Sequence, residues 1–322
     1  MIEDVLAQPH QIGDALWRVE AAGVPRQELP GGLVVCGMGG SAIGADLAAA
    51  AIGDRAKRSL RTVRGYDPGP GVGPDTLVLC ASYSGSTEET LACFDAAGAA
   101  GAPRVALTTG GPLAERAREQ GVPVIGVPSG MQPRAAVVYM TVGALECAAA
   151  CGAAPSLREE IEAAQPVLEQ LAEDSGAEAI ARALEGAVPV VHGAGPTAAA
   201  ARRWKTQLNE NAKAAAFVSE LPEANHNEIE GWEHGRELGS LSAVFLEDPD
   251  AHPRIARRVE VYADALDRLG APVARVTARG DTPVARVLSL VMLGDLVSVR
   301  LADLAGVAAT PVEAIERFKS QL

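Results

Sequence analysis

Two short segments carry side chains suited to acid–base chemistry, of the kind that moves a proton between neighbouring carbons. Asn209-Glu210-Asn211-Ala212-Lys213 sets a carboxylate between two amides, and Glu223-Ala224-Asn225-His226-Asn227-Glu228 sets an imidazole between two more. Shifting a hydrogen between neighbouring sugar carbons needs a base for the C–H proton. Opening the ring first needs a group that carries protons on oxygen. Glu and His are the usual side chains for these jobs, and imidazole titrates near neutral pH. Asn is a weak helix former, so two of them around Glu210, in an expected helix over 204–213, point to side chains held for hydrogen bonding. The bland alternative for Glu210 is a surface carboxylate paired with Lys213. For His226 it is a loop histidine of no consequence. His234 lacks the polar frame, and His10, His192 and His252 read as structural, capping or surface residues.

Two upstream loops read as a site for an anion. In Ser82-Tyr83-Ser84-Gly85-Ser86-Thr87-Glu88-Glu89-Thr90, four hydroxyls surround a glycine between an expected strand and an expected helix. The first turn of such a helix offers unpaired N–H groups and a partial positive charge, so the loop cradles an anion without a lysine. One serine would suffice for the ordinary alternative, Ser84 or Ser86 as helix cap with Glu88 and Glu89 in the first turn. The first loop, Gly37-Met38-Gly39-Gly40-Ser41-Ala42, reads either as a small-ligand contact through Gly40 and Ser41 or as a dinucleotide fingerprint with Asp67 as its acid. The GxxxxGK[ST] phosphate loop of nucleotide hydrolases is absent.

The elements that must position these residues alternate. Short β-branched runs at 33–36, 76–80, 104–107, 122–127, 188–192, 243–246 and 272–276 are separated by Ala-rich helical stretches. That alternation predicts an α/β fold with parallel sheets covered by helices on both faces. LVVCGMGGSAIGADLA and VPVVHGAGPTAAAARR share one pattern, strand then Gly-x-Gly then a helix of small residues, which reads as a degenerate internal duplication. The turn-rich 151–155 divides the chain into expected domains 1–152, with the loops, and 153–322, with the Glu and His segments. Helices are also expected at 42–52, 112–119, 134–150, 252–269, 283–304 and 311–322.

Composition bounds the rest. The chain has 322 residues, 48% hydrophobic and only 3% aromatic, so its cores must be built from Ala, Val and Leu. A net charge of −13 disfavours nucleic acid and anionic membrane surfaces as partners. Five scattered cysteines lack the spacing of a zinc site and read as small apolar residues of a reduced interior. The acidic N-terminus reads as a helix and not a signal peptide, and no apolar run is long enough to span a bilayer, so the expected location is the cytoplasm.

Taken together, GMGGSAIG, SYSGSTEET, Gln132-Pro133-Arg134, QLNENAK and PEANHNE resemble the bifunctional phosphoglucose/phosphomannose isomerases over nearly the whole chain and in the same order. The resemblance implies two sugar-isomerase (SIS) domains, each a five-stranded parallel sheet sandwiched by helices in the flavodoxin-like manner. It implies that Gly40 and Ser41 contact the sugar, and that Ser82, Ser84 and Thr87 hold its phosphate, to which the hydroxyl cradle read from the loop itself adds Ser86. Arg134 would sit by the reacting carbons, Glu210 would be the base, and His226 would open the ring from the partner subunit of a homodimer. Lys319 would assist. No metal and no organic cofactor are implied. Ser86 stands where the family commonly has Asn, and Thr310 precedes Pro311 where relatives often carry Asp-Pro. Three rival readings remain at this level: a non-catalytic SIS regulator, a dinucleotide-dependent oxidoreductase, and an isomerase of another phosphosugar.

Overall fold

The computed structural model describes residues 1–234 and 240–321, without the side chains of His234 and Lys319. It divides into two compact α/β units. One comprises Leu6–Glu169 with Gly280–Leu288, and the other Met1–Val5, Gln170–Arg279 and Ser289–Leu322.

In the first unit, β1 (Gly32–Cys36), β2 (Leu60–Val63), β3 (Thr76–Ala81), β4 (Arg104–Thr108) and β5 (Val124–Gly126) form a parallel sheet in the order β2-β1-β3-β4-β5. The central β1 and β3 are buried along their whole length, as their unbroken apolar sequences require, whereas the edge strand β2 is only half-buried. One face packs Val34, Val78, Ala106, Phe94 and Leu113 into a core beneath helices Glu88–Ala99 and Gly111–Glu119. Across the other face, helices Gly39–Ile52 and Val137–Ala150 approach so closely that a Cβ on Gly44 would stand 2.5 Å from that of Met140. The helix expected over 134–150 begins as a 3-10 turn, Pro133–Ala136.

In the second unit, β6 (Val188–Ala194), β7 (Phe217–Leu221), β8 (Leu241–Glu247) and β9 (Val273–Thr277) are parallel in the order β7-β6-β8-β9. The first strand of each unit thus lies between its second and third, the arrangement expected of a duplicated unit. The expected five strands hold for the first sheet; the second has four among the described residues. After β9 the chain enters the long helix Pro283–Leu304 directly, leaving no β-branched run for a fifth strand. One face buries Phe245, Tyr262 and Trp232 under helices Ala224–His234 and Pro253–Arg268. On helix Pro196–Glu210, Trp204 is fully buried and its Nε1 donates to Leu290 O at 2.7 Å. The helix expected over 311–322 is Glu313–Lys319.

Candidate active site

The two hydroxyl-bearing loops leave the carboxyl ends of β1 and β3, which are hydrogen-bonded neighbours with Cys36 opposite Cys80. In a sheet ordered 2-1-3-4-5 the chain runs outward in opposite directions from this pair. The crevice over such a switch point is where open parallel sheets bind ligands. The loops are joined directly: the Tyr83 N–H donates to Ser41 Oγ at 3.2 Å. Tyr83 fixes the second loop further, its hydroxyl donating to Pro128 O and accepting from the Met131 N–H, both at 3.1 Å. Thr109 Oγ1 closes the frame by donating to Tyr83 O at 2.8 Å.

Inside the second loop, Ser82 is 1% exposed, and its Oγ lies 2.8 Å from Thr87 Oγ1 and accepts from the Gly85 N–H at 3.1 Å. Ser86 Oγ donates to the exposed Ser84 Oγ at 3.0 Å. Gly85 has φ +70, and a Cβ there would stand 1.9 Å from Gly110 O, so only glycine closes this turn. The expected alternative, Ser84 or Ser86 as helix cap, is corrected. Thr87 is the N-cap of Glu88–Ala99, in extended conformation and with no side-chain cap bond. The hydroxyls are therefore gathered around the helix start without serving as its cap, which fits an anion cradle better than a capping motif.

Gly40 lets Arg134 come close. A Cβ on Gly40 would stand 3.2 Å from Arg134 Cα. Arg134 is 3% exposed, with Nη1 donating to Gln132 Oε1 at 3.1 Å. One buried guanidinium, two loops and a helix N-terminus thus share one end of one sheet. Asp67, the acid a dinucleotide site would need, is exposed and accepts from the Gly69 N–H at 2.7 Å in a turn past β2.

In the other unit, Glu210 is the last residue of Pro196–Glu210 and is half-buried. Its flanking amides are held as their residue type implied. Asn209 Nδ2 donates to Ala214 O at 2.8 Å, and the fully buried Asn211 donates through Nδ2 to Ser298 Oγ at 2.9 Å. Behind them the buried Arg203 forms a two-pronged pair with Asp295, at 3.1 and 2.9 Å. Lys213 Nζ donates to the backbone carbonyls of Glu210, Pro311 and Ala309.

His226 lies in the first turn of helix Ala224–His234 and is exposed, where a loop position was the bland expectation. Lys319 closes helix Glu313–Lys319, and its side chain, like that of His234, lies outside the described residues. His192 is structural, fully buried and stacked 4.7 Å from the Phe245 ring; burial pushes it down to about 4. His252 caps helix Pro253–Arg268, its Nδ1 accepting from the Arg254 N–H. All five cysteines are buried and free. Among the described residues no His, Cys, Asp or Glu group is placed to hold a metal ion, and no helix is long and apolar enough to cross a membrane. Tyr83 and Lys213 were not singled out as site residues from sequence. A tyrosine inside a serine-rich loop and a lysine two residues past two helix-breaking amides were the available signals.

Residues 173–322 match the family model of the bacterial phospho-glucose isomerase C-terminal SIS domain. The bifunctional phosphoglucose/phosphomannose isomerase of Caldicellulosiruptor bescii is 36% identical over 335 residues, spanning 100% of this chain and 98% of the relative. That of Aquifex aeolicus is 37% identical, with 90% of each chain covered. The crystal structure of a hypothetical protein from Thermus thermophilus superposes with a TM-score of 0.77 at 18% identity, covering 99% of this chain and 89% of that one, a likeness of fold. With identity above 30% over the full length, the chain belongs to the bifunctional phosphoglucose/phosphomannose isomerase family.

Proposed function

We propose that this protein interconverts glucose 6-phosphate and mannose 6-phosphate with fructose 6-phosphate, as an aldose–ketose isomerase acting through a cis-enediol. The observation that carries the reading is the pair of loops after β1 and β3, joined by the Tyr83–Ser41 bond at the switch point. An all-hydroxyl cradle suits a phosphate on a small sugar, and a dinucleotide reading leaves Ser82, Ser84, Ser86 and Thr87 without a task. A purely regulatory protein would have no use for Glu210 and His226 together.

In this reading Ser82, Ser84, Ser86, Thr87 and the first turn of Glu88–Ala99 hold the phosphate. Gly40 and Ser41 contact the sugar. That remote binding energy positions the reacting end. His226, assisted by Lys319, moves a proton from the anomeric hydroxyl to the ring oxygen and opens the ring. Glu210 then takes the proton from C2 and returns it to C1, while O2 loses a proton and O1 gains one. The enediol formed between these steps carries developing negative charge on oxygen, which Arg134 stabilises as a fixed guanidinium. Glucose and mannose phosphates differ only at C2, so one base serves both once rotation about the C2–C3 single bond turns the other face of the planar enediol toward it.

The protein works in the cytoplasm as a homodimer, His226 acting in the partner's site. The reaction needs only acid–base groups, without a metal or organic cofactor. The test is fructose 6-phosphate formation from each hexose phosphate before and after exhaustive EDTA treatment. Equal activity supports the reading. Loss restored by zinc overturns the metal-free mechanism, and activity with neither hexose phosphate overturns the substrate assignment.

A further inference from the structure

Among the described residues, Lys213 is the one non-glycine with a left-handed backbone, at φ +56. Glycine takes that conformation without the Cβ clash that an L residue meets there. A lysine at this position therefore has to be explained by its side chain. Lys213 Nζ donates to Glu210 O at 2.5 Å, Pro311 O at 2.7 Å and Ala309 O at 3.3 Å. An ammonium carries three N–H donors, enough to engage carbonyls of two segments at once.

The carbonyls belong to two segments. Glu210 O is among the last of helix Pro196–Glu210, where carbonyls lack intrahelical partners and a cation is favoured by the helix dipole. Ala309 and Pro311 lie just before helix Glu313–Lys319. One ammonium thus ties the end of the helix that carries Glu210 to the stretch of chain that feeds the C-terminal helix. The opposite side of the same turn is anchored in the interior by Asn211 on Ser298, with Ser298 Oγ donating to Asp295 O at 2.7 Å. Asn209 spans the turn between them, on Ala214 O. The backbone of Glu210 is held from both sides, by a buried amide and by an exposed cation.

We infer that Lys213 is a positioning residue for Glu210, setting the carboxylate's placement through three backbone carbonyls without touching the substrate. The inference rests on Glu210 being the base. A misplacement of about 1 Å at a catalytic group costs on the order of 100-fold in rate, so a small shift of the helix end is enough to be measured.

Lys213→Gly is the informative variant. It keeps the left-handed turn at no steric cost and removes the ammonium together with its aliphatic stem. The expected result is a kcat about 10- to 100-fold lower, with KM for both hexose phosphates unchanged and the thermal unfolding midpoint within a few degrees of wild type. The pH at which kcat falls on the acid side should stay in place, because the base is displaced and not retuned. Amide hydrogen exchange across 309–319 should quicken. A folded Lys213→Gly enzyme with wild-type kcat overturns the inference. A large shift of the acid limb overturns it in favour of a direct charge effect. If Lys213→Gly does not fold, Lys213→Met, which keeps the aliphatic stem, decides in the same way; unfolding of both assigns Lys213 to stability alone. Failure of the base assignment is told apart by Glu210→Gln. If that variant retains activity, the reading of Glu210 falls whatever Lys213 does.

Discussion

The backbone N–H of Tyr83 donates to Ser41 Oγ across 3.2 Å, and this bond makes two loops from neighbouring strands into one frame. Ser41 is 8% exposed and sits in the first turn of helix Gly39–Ile52. Tyr83 is tied through its hydroxyl to Pro128 and Met131, a few residues ahead of Arg134. A change in either loop is therefore transmitted to the other and to the approach of the guanidinium.

Phosphate recognition is expected to reside in the second loop. A hydrogen bond to a charged group contributes about 1.5–3 kcal/mol. The double change Ser84→Ala, Thr87→Ala should raise KM for the hexose phosphates about 100-fold, with a smaller effect on kcat, and inorganic sulfate should compete with substrate in the wild type. Steady-state kinetics of the variant check this, and an unchanged KM moves the phosphate elsewhere.

This loop was legible in sequence because its signal is local. Hydroxyl density, one glycine and two following acids fall within nine residues, and the glycine's φ of +70 is what the turn demands. The missed strands β2 and β7 had no such signal. Both are edge strands of four or five residues, each interrupted by a charge, Arg61 or Glu220, so their alternation is too short to register. That the second sheet has four strands among the described residues follows from the chain turning into a helix after β9, where the family resemblance implied a fifth. The Arg203–Asp295 pair and the Lys213 carbonyl cluster join residues about ninety apart or more in sequence, a distance no local pattern reports.

The buried pair Arg203–Asp295 should be costly to break and cheap to replace. Asp295→Ala removes the carboxylate from a guanidinium that is 1% exposed and should destabilise by about 3–5 kcal/mol. Replacing both, as Arg203→Met with Asp295→Leu, should cost much less. Urea unfolding of the single and double variants measures the difference, and equal losses would contradict the account.

His192 should make stability fall in mild acid. Burial holds its folded pKa down at about 4, whereas an unfolded histidine titrates near ~6.5. Between those values the unfolded chain binds a proton that the folded chain refuses. Stability should thus be undiminished above about pH 6.5 and fall by about 3 kcal/mol as pH drops to about 4. His192→Leu should remove this contribution, so the gap between urea midpoints at pH 7 and pH 4.5 should narrow. An unchanged gap would contradict it.

The proposed sharing of His226 across a dimer predicts complementation. Glu210→Gln and His226→Ala subunits are each expected to be nearly inactive. Heterodimers would hold one site with both native groups, so activity should return on mixing with subunit exchange. Demonstrated exchange without recovery would place both groups in one chain or remove one of them from the mechanism.

The central claim is that Glu210 moves the proton between C2 and C1. Glu210→Gln keeps the side chain's size and hydrogen-bonding reach while removing the base, and general base catalysis contributes on the order of 10²–10⁴ in rate. The decisive measurement is kcat for fructose 6-phosphate formation by Glu210→Gln, with substrate affinity measured separately by calorimetry. The account predicts a kcat at least about 100-fold lower with both hexose phosphates and an affinity close to wild type. A variant that turns over either substrate at more than about a tenth of the wild-type rate would contradict it.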